Sequence, residues 1–190
     1  MKLINKKSLL VSAISLTLAS GLALAEVSGY LSIHNVKSEV EGKGAKKTLE
    51  VEIKTNRPIP VDGKSGAFGY AILTDNTNNV LVLVTHLPID DSSHEDPVNG
   101  FHTHILDLKE PTDACKNASF EVDLVNSAKN TAFDANYEWK VNDQEISVEK
   151  VPVTDLGDAG VETVVSFTLK PILDANNKPT NLCVTVVDKV

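Results

Sequence analysis

Asn79-Val80-Leu81-Val82-Leu83-Val84-Thr85-His86-Leu87 and, beyond an acidic loop, Phe101-His102-Thr103-His104-Ile105-Leu106-Asp107-Leu108 decide how this chain folds. Both are short apolar runs rich in β-branched residues and bounded by turn formers, which is the mark of strands rather than helices. Side chains alternate along a strand, so His102 and His104 share one face. If the two runs pair as an antiparallel hairpin with His86 opposite His102, then Val84 faces His104, Val82 faces Leu106 and Val80 faces Leu108. One face then carries only histidines and aliphatics. A one-residue slip would set His86 against Phe101 or Thr103 and mix the valines with Asp107, so the first register is expected.

The same signals recur outward from this hairpin. Strands are expected at Val27–Val36, Thr48–Thr55, Ala67–Thr74, Ser119–Val125, Tyr137–Val141, Glu145–Val151, Val161–Leu169 and Asn181–Val187. Gly-, Asn- and Asp-rich turns separate most of them, as at Asp62-Gly63-Lys64-Ser65-Gly66 and Asn176-Asn177-Lys178-Pro179. About ten strands without βαβ alternation define an all-β chain, a single antiparallel β-sandwich of jelly-roll or immunoglobulin-like type. Residues 26–190 suit one such domain, with no internal repeat or linker to divide them.

The first 25 residues read as a cleaved signal peptide. Lys2, Lys6 and Lys7 precede the apolar stretch Leu9–Leu24, and Ala23-Leu24-Ala25 supplies small residues at the cleavage positions. Position 26 is Glu, which gives no lipid attachment point, and no later apolar run is long enough to span a membrane. A periplasmic or extracellular location follows. The two cysteines, Cys115 and Cys183, then read as a disulfide. Closing the long loop between them should stabilise the fold by about 4 kcal/mol in the chain-entropy view.

With 18 basic against 26 acidic residues the net charge is −8, and loss of the three leader lysines makes the remainder more acidic still. Such a surface repels phosphate backbones, which argues against nucleic acid as a partner and leaves cations and basic proteins. One Trp, three Tyr and five Phe are too few to build a sugar-stacking platform. Neither a Gly-x-Ser-x-Gly elbow nor a phosphate-cradling glycine loop is present.

What remains is the histidine cluster. Four of the five histidines fall between residues 86 and 104. A His-x-His strand can be no more than two polar residues on a wet face, but with His86 alongside, three imidazoles meet at one end of the hairpin. Three nitrogens at about 2.0–2.1 Å hold a transition metal and leave one coordination position open. Asp90, Asp91, His94, Glu95 and Asp96 lie in the connecting loop and could supply a fourth ligand or fix a ligand's tautomer. Zinc or copper suits such a donor set best and iron is also compatible. Calcium is less favoured, because it seeks oxygen and would leave the histidines unexplained. His34 stands alone and reads as structural or exposed.

The pentapeptide Gly100-Phe101-His102-Thr103-His104 resembles the Gly-Phe-His-x-His metal strand of the copper/zinc superoxide dismutases, and the resemblance implies that His102 and His104 are copper ligands. That family also requires histidines downstream of the motif, and none follows His104 here; Arg57 is the only arginine. The likeness is one of metal-strand chemistry, without family membership. An exported metal-binding protein is therefore the expected function. A metalloenzyme using the open position and a metal-free module that binds a protein partner through a strand edge are the alternatives. N-terminal sequencing of the exported protein should return Glu26 as the first residue, and a start at Met1 would remove the leader.

Overall fold

The computed structural model describes residues 28–74, 78–86, 92–157 and 160–190. The expected signal peptide, Asp90 and Asp91 lie outside the described residues. Eleven strands are present: β1 Ile33–Glu41, β2 Thr48–Thr55, β3 Phe68–Thr74, β4 Val80–Thr85, β5 His102–Leu106, β6 Leu108–Lys109, β7 Phe120–Val122, β8 Glu138–Asn142, β9 Glu145–Pro152, β10 Val161–Leu173 and β11 Pro179–Lys189. They form two antiparallel sheets, one ordered β1-β2-β9-β8 and the other β5-β4-β3-β10-β11-β7-β6. The expected β-sandwich is what the chain forms, with its larger sheet curled. The two ends of that sheet, β5 and β6, are separated in sequence by Asp107 alone, so the sheet rolls round until both ends meet in one stretch of chain.

Rolling the sheet gives it two buried faces. Phe68, Tyr70, Ile72, Leu81, Leu83, Phe101 and Ile105 point toward the smaller sheet and pack with Leu49, Val51, Ile53, Ile146 and Val148. The residues between them turn the other way, into the curl, where Ala71, Val80, Val82 and Val84 meet Val165, Phe167, Leu182 and Val184. All six residues of β4 are buried for this reason, and the run therefore lacks the polar alternation of a one-sided strand. Each large aliphatic removed from water contributes about 1.5–3 kcal/mol before entropy is charged against it. A bulge between Ser166 and Phe167 helps the sheet turn. Gly69 is needed at the tightest point, since a Cβ there would lie 2.9 Å from the Phe167 ring and 2.5 Å from the Leu83 carbonyl oxygen.

Several expectations shift. Val84 pairs with His102, Val82 with His104 and Val80 with Leu106, so the hairpin register is displaced by two residues from the one anticipated. A two-residue slip keeps every side chain on its face, and the hydrophobic pattern cannot discriminate against it. The choice is made by polar contacts: the Asn79 amide donates to Asp107 Oδ1 (2.9 Å), and Thr85 Oγ1 donates to the Asn99 carbonyl (2.7 Å). The first strand begins at Ile33, not Val27, and runs on to Glu41, while Gly29–Leu31 form a 3-10 turn. As an edge strand exposed along most of its length, it carries little apolar signal. Ser119–Val125 is strand only over Phe120–Val122, because Asp123 accepts from the Asn126 amide and caps a four-residue helix at Leu124–Ser127.

Cys115 and Cys183 form the expected disulfide. Cys115 lies in the 3-10 turn Asp113–Cys115 ahead of the short strand β7. Beside the bridge, Glu121 buries its carboxylate with 1% exposure. Oε2 accepts from the Thr112 amide (2.9 Å) and hydroxyl (2.7 Å), while Oε1 accepts from Asn181 Nδ2 (2.9 Å) and pairs with Lys109 Nζ (3.2 Å). Burial pushes the pKa of this carboxyl up, but the hydrogen bonds from Thr112, Asn181 and Lys109 outweigh it and hold the group at about 2.

A depressed folded-state pKa stabilises the fold above the unfolded value near 4.5, and that contribution fades as pH falls toward 2. Glu121→Gln should therefore cost about 2–3 kcal/mol in urea titrations at pH 7, with the gap to wild type closing between about pH 4.5 and pH 2. A gap independent of pH would show that shape, not charge, is what the fold requires of this side chain.

Candidate metal centre

The hairpin loop aims the histidines before any metal is considered. Asp96 Oδ1 accepts from the amides of Val98 (2.8 Å) and Asn99 (2.9 Å), and Asn99 Oδ1 accepts from the Phe101 amide (2.9 Å). These Asx turns hold Gly100 at a φ of 74°, a conformation that costs glycine nothing and other residues about 1 kcal/mol or more. Its carbonyl is thereby placed 2.9 Å from His102 Nδ1. A second segment comes from the other side. Thr103 Oγ1, on the opposite face of β5, donates to the Ala135 carbonyl (2.7 Å), and the Phe133 carbonyl of the same segment lies 2.8 Å from His104 Nδ1.

His86, His102 and His104 are 4%, 0% and 2% exposed. Each offers a ring nitrogen, and these atoms all lie within 4.8 Å of one another. The ring of His102 stands edge-on to those of His86 and His104, with centroids 4.7 Å apart in both pairs. His86 and His104 are parallel at 6.5 Å, and Phe133 stacks on His104 at 4.8 Å. His86 sits just past the end of β4, so the triangle is built from one residue beyond the ladder and two within it. Tetrahedral nitrogens at about 2.05 Å from zinc are about 3.4 Å apart, so small side-chain rotations would bring the three onto one ion.

A backbone carbonyl can only accept, so Nδ1 of His102 and of His104 must be the protonated nitrogen in each hydrogen bond. The neutral rings are left with Nε2 as the basic atom. Fixing the tautomer in this way is the usual preparation of an imidazole for a metal.

The loop residues named from the sequence divide. Asp96 turns its carboxylate onto its own turn. His94 donates its amide to Ser92 Oγ (3.1 Å), and Ser92 in turn donates to Asp134 Oδ1 (2.5 Å). Burial disfavours ionisation of Asp134, but Ser92, Ser93 and the nearby His94 outweigh it and lower its pKa. Glu95 has both carboxylate oxygens buried. None of His94, Glu95 or Asp96 joins the three-histidine group, and His34 lies exposed on β1 of the smaller sheet. Phe133 and Asp134 were not anticipated. Ala132-Phe133-Asp134 resembles any other loop in sequence, and a carbonyl acceptor leaves no residue-type signature.

No family model matches the chain, and comparison with curated proteins and with solved structures yields no match either. The site must be judged on its own geometry.

Long-range nitrogen–proton correlation spectra at pH 7.5 should show His102 and His104 as Nδ1–H tautomers with unprotonated Nε2. The opposite tautomer at either ring would break the hydrogen-bond assignment. Gly100→Ala should cost about 1–2 kcal/mol from the positive φ and displace the carbonyl that holds His102.

Proposed function

We propose that this chain is an exported metal-binding protein in which His86, His102 and His104 hold one transition metal ion through their ring nitrogens. The observation that carries the proposal is the convergence of three buried imidazoles within 4.8 Å, two of them tautomerically fixed by backbone carbonyls. Burying three such groups costs free energy that a solvated surface would not demand, and a bound cation offsets it. An all-nitrogen set selects zinc or copper, takes iron less well, and suits calcium poorly. Asp90 or Asp91 of the acidic loop supplies the fourth ligand or leaves it to solvent, so the ion stays exchangeable. Holding and handing on a metal outside the cytoplasm is the role this combination serves. The signal-like leader supports export, as does the disulfide.

Untagged protein recovered from a periplasm should carry about one equivalent of a single transition metal by elemental analysis, and a His102→Ala/His104→Ala variant none. Chelation at pH 7.5 should lower the melting temperature by about 5–10 °C, since a metal present at 100 times its Kd adds about 2.7 kcal/mol. Acid competes for the same nitrogens, so the difference should shrink as pH falls. Wild-type protein that takes up no metal after incubation with zinc and copper followed by desalting would end the proposal.

A further inference from the structure

The inside of the curled sheet encloses a cavity of about 50 Å³, and His86 and His104 are part of its wall. Among the described residues every other wall residue is Ala, Val, Leu or Phe, drawn from β3, β4, β10, β11, the β5–β7 region, Leu124 of the short helix and Phe133 of the loop after it. The same two imidazoles thus belong both to the triad and to an aliphatic chamber, with Phe133, which stacks on His104, beside them in the wall.

Two features make this more than loose packing. Leu73, Leu106, Phe120, Leu124, Leu169 and Val186 line the chamber and are only partly buried, so the chamber communicates with the surface. Among the described residues its only polar wall groups are the imidazoles, so whatever enters must be uncharged and apolar apart from an atom able to face a ring nitrogen or the ion held there. Size narrows the class further. A water needs about 10–15 Å³ by this measure, and an apolar cavity of about 150 Å³ takes benzene. A chamber one third of that size takes two or three heavy atoms.

We propose that the lumen of the curled sheet is a binding chamber for neutral apolar molecules of two or three heavy atoms, the class of the diatomic gases, and that it delivers them to the histidine triad. This rests on the metal proposal for what the ligand meets at the end of the chamber, but not for the chamber itself. Anions, including carboxylates, are excluded by the aliphatic wall.

Xenon is a neutral probe of the right size. Diffraction data from crystals of the full chain pressurised with xenon should show an anomalous peak among Ala71, Val82, Val84 and Phe167 and against His104. Crystals of Ala71→Leu, in which added methyl groups fill the chamber, should lose the peak. The wild-type crystal decides the matter even if the variant fails to fold. No peak in the lumen overturns the chamber, and a peak that persists unchanged in well-folded Ala71→Leu overturns its location. Metal content counted in the same protein reads the earlier proposal independently, because xenon occupies an apolar wall whether or not an ion is bound. Xenon without metal leaves a chamber that opens on bare imidazoles, and metal without xenon leaves a closed site.

Discussion

Along β4 and β5 each successive side chain enters a different core, and this alternation governs the molecule. Leu81 and Leu83 build the sandwich with the smaller sheet, while Val80, Val82 and Val84 build the inside of the curl. His102 and His104 fall on the inner parity with the valines, and Thr103 and Ile105 on the outer. The outer set anchors the strand to its surroundings, and Thr103 reaches across to Ala135. The inner set is therefore held rigidly without having to make its own scaffold. Local positioning on strands, more than loop chemistry, is what gives three imidazoles a shared centre.

Much of this was legible beforehand, for reasons that differ by element. Strand content and the shared face of the histidines follow from a period of two, which is strict, and the disulfide follows from two cysteines in a chain whose first residues read as an export leader. The register did not follow, because a two-residue slip conserves every hydrophobic contact by type. Asp107 resolves it through the Asn79 amide, a contact between an acidic residue and a backbone group that no pattern advertises. The curl was hidden for a related reason. Nothing in Leu106-Asp107-Leu108 reveals that the strand serves both ends of one sheet. A continuous apolar run such as Val80–Val84 signals burial on two sides, but not which two surfaces do the burying.

Within the site, backbone groups orient two of the three rings. The Gly100 and Phe133 carbonyls take the Nδ1 protons of His102 and His104. Carbonyl acceptors fix the tautomers of these two rings without bringing a net charge of their own. The acidic residues lie outside the triad, with Asp134 engaged by Ser92 and Ser93 and Asp96 by its own turn. They pin the loops that cover the rings.

The seam where the sheet meets itself is its shortest part: β6 has two residues and β7 three, against thirteen in β10. So few ladder hydrogen bonds make a weak hem, and the chain fastens it twice, with the Cys115–Cys183 bridge and with the four donors around Glu121. One fastener depends on oxidation and the other on an ionised carboxyl. The hem beside the histidines is accordingly held closed wherever thiols are oxidised and the pH stays above the range in which Glu121 takes up its proton.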